Sequence, residues 1–371
     1  MNKPKIRFKG FDEEWSEVTL GDVFDYERPD NYIVSSDKYS DDFTTPVLTA
    51  NKGFILGYTN EKRTYDKPCI IFDDFTLDSK FVDFPFMVKS SALKILSIKD
   101  KNKYNLYFAF NRLNSAKIEL LGHARHYISV VQPTKILTPS LPEQIKIAEY
   151  FGALDSLISL TEKKISSLKQ VKQASLQSMF PQEGETTPRI RFKGFEGEWE
   201  KCKVSNLFVI KRGYVLPISK TRAIADNEYK YPVYSSQTLR NGLMGYYNQA
   251  LYKDAITWTT DGANAGTVNF RPGYFYCTNV CGVLTSDRGY ANACIAEILG
   301  LVAKKYVSFV GNPKLMNNVM AEIQIYIPTS LQEQTQIADY FSNLDKQIAL
   351  HEARLTKLKS VKASCLDLMF V

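Results

Sequence analysis

The chain repeats itself, and the spacing of the repeat limits what it can fold into. Residues 4–15 (PKIRFKGFDEEW) return as residues 188–199 (PRIRFKGFEGEW), with nine of twelve positions identical at an offset of 184. Residues 141–180 and 331–370 match at nineteen of forty positions, at an offset of 190. The stretches between, about 16–140 and 200–330, show almost no pairwise identity. A period near 190 lies far beyond the 20–50 residues of a stacked repeat array, so a whole domain is duplicated. Each copy is long enough to bury its own core. The order is therefore tag, variable globe, shared segment, and then the same again.

The shared segments carry helix signals. Ser140-Leu141-Pro142-Glu143 and Ser330-Leu331-Gln332-Glu333 fit the S-x-x-E capping box, in which side chains satisfy the first backbone N–H groups. Pro142 falls in the first turn, where a missing N–H costs nothing. Apolar residues then step by four and three: Ile147, Phe151, Leu154, Ile158, Ile165 and Leu168, repeated as Ile337, Phe341, Leu344, Ile348, Leu355 and Leu358. That is a heptad seam, suited to two helices lying side by side. Thr161 and His351 interrupt it, as do Lys172 and Lys362. A helix laid along its own globe would also need one apolar face. Forty residues rise roughly 60 Å, however, more than one small globe needs. Phe180-Pro181 ends the first segment and opens a polar linker over 181–187.

The globes read as mixed α and β. Strands are expected at Pro46–Thr49, Cys69–Phe72 and Ala92–Leu96, and a helix over Leu106–Leu121. In the second copy strands are expected at Tyr231–Tyr234, Ala255–Trp258, Val280–Leu284 and Ile323–Tyr326, with a helix over Ala293–Lys305. The fold class is α/β (α+β).

Composition excludes several classes. The 44% hydrophobic and 23% charged content is that of an ordinary globular chain. No run approaches the ~20 apolar residues of a membrane helix. The basic N-terminus lacks the apolar core of a secretory signal. Six cysteines without a CxxC pair, and three histidines, argue for free thiols in a reducing compartment and against zinc. There is no P-loop, no G-x-G-x-x-G after a strand, no G-x-S-x-G, no H-E-x-x-H and no Pro-Pro pair of the kind an amino-methyltransferase uses. Gly262-Ala-Asn-Ala-Gly266-Thr267 lacks a lysine for phosphate. A non-catalytic binding protein is expected.

Charge suggests what it binds. Residues 11–88 hold 7 basic and 17 acidic residues, a net −10, whereas 89–135 hold 9 and 2, a net +7. Residues 188–329 hold 17 and 10, again a net +7. A basic half in each globe favours a polyanion over a generic solvated surface.

Taken together, the LxEQxxIAxYFxxLD helices (Leu141–Asp155, Leu331–Asp345), each following an unmatched globe that opens on RFKGF (Arg7–Phe11, Arg191–Phe195), resemble the specificity subunit of type I restriction–modification systems. The second copy departs in having Gln332 where Pro142 stands in the first. The resemblance covers essentially the whole chain. It implies target recognition domains at 1–140 and 188–329, joined by two long antiparallel helices at 141–180 and 330–371 that form a coiled coil. It also implies double-stranded DNA as ligand, two methyltransferase subunits docked on the helices and a restriction/translocase subunit able to join. S-adenosylmethionine, Mg2+ and ATP would then sit on those partners and no cofactor on this chain, in a cytoplasmic complex without membrane. Two globes at a fixed spacing suit a bipartite, asymmetric site with half-sites about one helical turn, ~34 Å, apart. A coiled-coil scaffold or adaptor whose globes bind something other than DNA is the competing reading. A third is the recognition half of a fused nuclease–methyltransferase.

Polar loops supply the candidate DNA contacts. In the first globe they are Asn51 and Lys52 in a Gly-turn, and His123, Arg125, His126 and Tyr127, with Arg125 suited to bidentate reading of guanine. In the second they are Ser235, Ser236, Gln237, Thr260, Asp261, Asn312, Lys314 and Asn317, with Lys304 and Lys305 as phosphate contacts. Turn or cap chemistry is the competing role for each.

Overall fold

We describe residues 3–50, 53–118, 126–236 and 239–370 in a computed structural model of the chain. The first copy runs β1 (Ser16–Thr19), α1 (Leu20–Val23), β2 (Phe24–Glu27), β3 (Thr45–Leu48), β4 (Ile55–Thr59), β5 (Cys69–Asp73), β6 (Ser79–Val82), β7 (Met87–Val88), β8 (Leu93–Ile98), α2 (Leu106–Ser115), β9 (Lys135–Thr138) and the long α3 (Leu141–Ser178). The second runs β10 (Glu200–Lys203), α4 (Val204–Leu207), β11 (Val209–Arg212), β12 (Tyr231–Tyr234), β13 (Leu243–Tyr247), β14 (Tyr252–Thr259), β15 (Val268–Cys277), β16 (Cys281–Thr285), α5 (Ala293–Val302), α6 (Asn317–Glu322), β17 (Gln324–Ile327) and α7 (Leu331–Met369).

The globes, unlike in sequence, share one frame. β1 pairs antiparallel with β9, and β10 with β17, so each globe is pinned shut by strands from its two ends. In the first globe one sheet has the order β2–β8–β5–β6 and a second β4–β3–β7. In the second globe the same order, β11–β16–β14–β15–β12–β13, forms one six-stranded sheet. The registers superpose residue by residue. Ile70 faces Phe81 and Leu96 as Ile256 faces Phe270 and Leu284. Val47 lies beside Met87 and opposite Gly57, as Val233 lies beside Tyr276 and opposite Gly245. Ser79–Val88 and Val268–Cys277 are thus equivalent without a gap. The continuous β15 passes a bulge where Gly273 takes a left-handed φ of 72° and donates its N–H to Asp254 Oδ1 at 2.7 Å. Its counterpart is Phe84, whose Cβ makes that conformation costly, and the strand breaks into β6 and β7.

Each sheet has two buried faces. One packs Ile70, Phe72 and Leu96 against Ala109 and Leu113 of α2, or Ile256, Trp258 and Leu284 against Ile295 and Leu299 of α5. The opposite face holds Leu48, Ile71, Val82, Leu93 and Ile95 in the first globe. In the second it holds Ala255, Phe275, Cys277, Cys281 and Val283 with Tyr234 and Tyr252.

The chain divides into two compact units, residues 1–162 with 353–371, and residues 163–352. Within each, one half of α3 runs antiparallel to one half of α7. In the first, Phe151 stacks on Phe370 at 5.8 Å beside Trp15 and Phe108. In the second, Phe180 meets Phe341 at 5.5 Å and Trp199 at 6.0 Å. The seam lysines are explained here: Lys362 Nζ binds Asp155 at 2.6 and 2.8 Å, and Lys172 Nζ binds Asp345 at 2.8 Å. Each cation is matched by the aspartate that ends the repeated motif. Thr161 turns its hydroxyl to the Leu157 carbonyl at 2.6 Å.

The repeated tag and helix start are bound to each other. Arg7 grips Glu143 through two bonds of 2.7 Å, and Arg191 grips Glu333 at 2.6 and 2.8 Å. Gln144 then clamps Pro139 O, Lys103 O and the Asn105 N–H, while Gln334 bonds Pro328 O and Asn292 Nδ2. The expected strands are all present within a few residues. α2, expected to reach Leu121, stops at Ser115, and α5 stops at Val302, with a 3-10 turn over Ala303–Tyr306.

Candidate nucleic-acid interface

Asn51, Lys52, His123, Arg125 and Gln237 lie outside the described residues. His126 and Tyr127 do not present themselves to solvent, contrary to the sequence reading. Both are 1% exposed, and their N–H groups donate to Asp74 Oδ1 at 3.0 and 2.8 Å. Asp74 is itself buried and neutralised by Lys94 at 3.4 Å. The Tyr127 ring packs edge-on against Tyr26 and Phe72. Both residues are therefore held in the core by Asp74. In the GHARHY run they look like surface, because aromatic and imidazole groups suit either place.

The second globe brings several expected residues together. Thr260 is buried and donates its hydroxyl to Asp261 Oδ2 at 2.7 Å, which removes it as a direct contact. Asp261 lies 3.9 Å from both Lys314 Nζ and Arg212 Nη2. The Gly262 N–H binds the Pro313 carbonyl and the Leu315 N–H binds that of Thr260, so the 260–262 and 313–315 loops form one edge. Asn312 and Lys314 are exposed on it, and Asn317 is half-buried at the start of α6. Lys304 and Lys305 are exposed on the 3-10 turn, Lys305 meeting Glu183 at 3.0 Å. The Gly262–Gly266 loop uses its glycines for a tight turn, with φ of 91° and 78°.

Ser235 and Ser236 belong to a feature that no sequence signal marked. They line a polar cavity of about 70 Å³ on the sheet, with Asn241, Thr257, Asn264 and Arg271. Thr278 donates to Ser235 Oγ at 3.0 Å, and Asn264 Nδ2 donates to the Ser236 carbonyl at 3.0 Å. Arg271 is 5% exposed, donates its Nε–H to Thr257 Oγ1 at 3.1 Å and lies 3.8 Å over the Tyr234 ring. Burial pulls its pKa below the usual guanidinium value, which Tyr234 partly opposes. Among the described residues no carboxylate forms an ion pair with it. Only burial and cross-strand register reveal this site. In the sequence, Pro272-Gly273 interrupts NFRPGYFY, and no strand is expected there.

By position, a concavity of about 200 Å³ in the first globe matches it. There Ile71, Asp73, Lys80 and Leu93 stand where the second globe has Thr257, Thr259, Asn269 and Cys281. A wider cleft of about 910 Å³ beside β3 and β4 carries Asp42, Glu61 and a single Lys62, an unfavourable lining for a polyanion.

Comparison with known proteins agrees with this duplicated frame. The chain is 39% identical over 173 residues to the specificity subunit of the type I restriction enzyme EcoR124I/EcoR124II of Escherichia coli, covering 44% of this chain and 42% of that one. It is 34% identical over 152 residues to the specificity subunit of the type I restriction enzyme MpnII of Mycoplasma pneumoniae, covering 40% and 44%. The matched part thus spans less than half the length of either relative. The fold matches the crystal structure of a type I restriction–modification S subunit from M. genitalium with a TM-score of 0.80 at 16% identity, over 100% of this chain and 99% of that one. The profile of the type I restriction modification DNA specificity domain matches twice, at residues 12–170 and 196–360. Because these two matches cover most of the chain, it belongs to that type I DNA specificity family.

Proposed function

We propose that the chain is the DNA-reading subunit of a type I restriction–modification complex, each globe serving one part of an asymmetric bipartite site. The observation that carries this reading is the contrast between frame and lining: strand register is kept between the globes, while the residues facing their concavities differ. That is what one partner and two different targets require. Exposed Lys304, Lys305, Lys314 and Asn312 would hold phosphates along one edge, contributing affinity without sequence information. On this reading no reaction occurs on the chain. Methyl transfer would belong to two methyltransferase subunits and DNA translocation to a restriction subunit, which would carry S-adenosylmethionine, Mg2+ and ATP.

Two equivalent docks are available for a partner of one kind. Leu160 and Leu350 occupy the same repeat position and are 62% and 69% exposed; Val171 and Val361 do so at 45% and 36%. Matched exposure of the same apolar positions on both helices is what one kind of partner docking twice would need. The test is a mobility shift of the chain with its cognate methyltransferase on randomised duplexes, followed by sequencing of the bound fraction. One asymmetric two-part motif with an unread spacer is expected. Equal binding to scrambled duplex at physiological salt would sink the reading. Leu160→Glu or Leu350→Glu should each remove one methyltransferase copy by native mass spectrometry, and the double variant both.

A further inference from the structure

On the sheet face opposite the packed helix, four matched positions differ in character between the copies. In the first globe that layer is Leu48, Ile71, Val82 and Leu93, all apolar and buried. The matching register positions in the second are Tyr234, Thr257, Arg271 and Cys281. Val82 and Arg271 are therefore the same site in one fold, and the first globe shows that the frame stands on valine there. A buried guanidinium without a carboxylate partner is costly, because desolvation is repaid only by good pairing. Stability does not account for Arg271.

Its surroundings indicate a ligand instead. Tyr234 holds the guanidinium plane and Thr257 holds Nε, so the fork is fixed before anything binds. The cavity it lines is otherwise neutral and polar, with Ser235, Ser236, Asn241 and Asn264. At the rim, Arg240 and Asn241 both adopt left-handed backbone, with φ of 50° and 57°, which brings Asn241 to the mouth. A volume of about 70 Å³ takes a flat edge rather than a whole extruded base. A rigid, planar pair of donors matches two adjacent acceptors, and guanine's O6 and N7 are the major-groove edge that offers them.

We propose that Arg271 reads a guanine edge in the half-site served by the second globe, with Ser236 and Asn264 shaping the pocket. The first globe, with Val82 at that position and Asp73 and Lys80 on its wall, reads its half-site by other groups. This assignment rests on the DNA-reading function proposed above. The chemistry needed is a pair of hydrogen-bond acceptors; a phosphate could also supply them, and the experiment separates the two.

The experiment uses the full chain with its cognate methyltransferase and a randomised duplex library. Arg271→Val installs the residue that the first globe uses, so it should fold with an unchanged or raised Tm. Discrimination for guanine at one position of one half-site should fall about 5- to 150-fold, leaving the other half-site and spacer intact. Arg271→Lys keeps the charge without the fork and should lose the same discrimination. An unchanged motif overturns the proposal. So does an affinity loss spread evenly over all sequences, which would mark a phosphate contact. Should Arg271→Val not fold, Asn264→Ala and Ser236→Ala decide the matter: altered preference in that half-site supports the assignment, and none removes it. If the wild-type complex shows no sequence preference at all, the DNA-reading function itself fails.

Discussion

Cysteine chemistry separates buried from accessible residues. Cys69, Cys277, Cys281 and Cys294 are buried, while Cys202 and Cys365 are partly open. Burial pushes the Cys281 thiol up to about 11 and Cys69 up to about 12. A thiol reagent at pH 8 should therefore label two of the six positions in the native chain and all six after denaturation. Labelling of Cys281 at the rate of a free thiol would contradict the packing. The same groups give an alkaline limit. Their pKa values are raised on folding, so the stability they contribute is complete below pH ~8.5, the value in an unfolded chain, and is lost as pH climbs towards 11–12. Tm should fall across that window. Residue-scale reading from sequence was weakest where one residue type suits two environments. Tyr127 and His126 sit in a basic run and looked exposed, yet Asp74 draws their N–H groups inward. Arg271 carries no signal of burial in the sequence; the structure buries it, and cross-strand register sets it at the place of Val82 in the first globe.

At the scale of elements, the repeated motifs turn out to describe packing within the chain. Glu143, Gln144, Ile147, Phe151 and Asp155 are all used by the tag, the globe or the opposite helix. Their duplication was readable because period, caps and apolar spacing are local signals. The strands of the globes were read only where β-branched or aromatic runs were dense, as at Cys69–Phe72 and Tyr231–Tyr234. β15 carries no strand signal because Pro272 discourages a strand, and only cross-strand bonding decides it. The Arg7–Glu143 pair offers a test. The Glu143 side chain is 1% exposed, so Glu143→Gln leaves the Arg7 guanidinium without its counter-charge. Breaking a buried pair on one side costs about 3 kcal/mol. A two-step thermal unfolding curve with only one step shifted is the expected calorimetric result. A shift below ~0.5 kcal/mol, usual for surface changes, would mean that the pair is incidental.

For the whole molecule, the sequence carried the plan of two copies but hid their likeness. The globes keep Pro46/Pro232, Val47/Val233, Gly57/Gly245 and Tyr58/Tyr246 in register, too few identities to notice unaligned. The backbone ladder, rather than side-chain identity, preserves the frame, so lining residues are free to diverge. If each globe acts independently on DNA, exchanging residues 16–139 with 200–329 should interchange the half-sites in the sequenced motif. A motif left in its original order would contradict independent readers.

The first unit closes on Phe370, which stacks on Phe151 beside Trp15. About 190 residues separate position 162 from the segment at 353–371 that completes this unit. During translation at roughly 5–20 residues per second, the aromatic seat of the first globe stays open for about 10–40 s. The globe made first is thus the last to be sealed, and it spends that interval exposing Trp15, Phe108 and Phe151 to whatever chaperone meets the nascent chain.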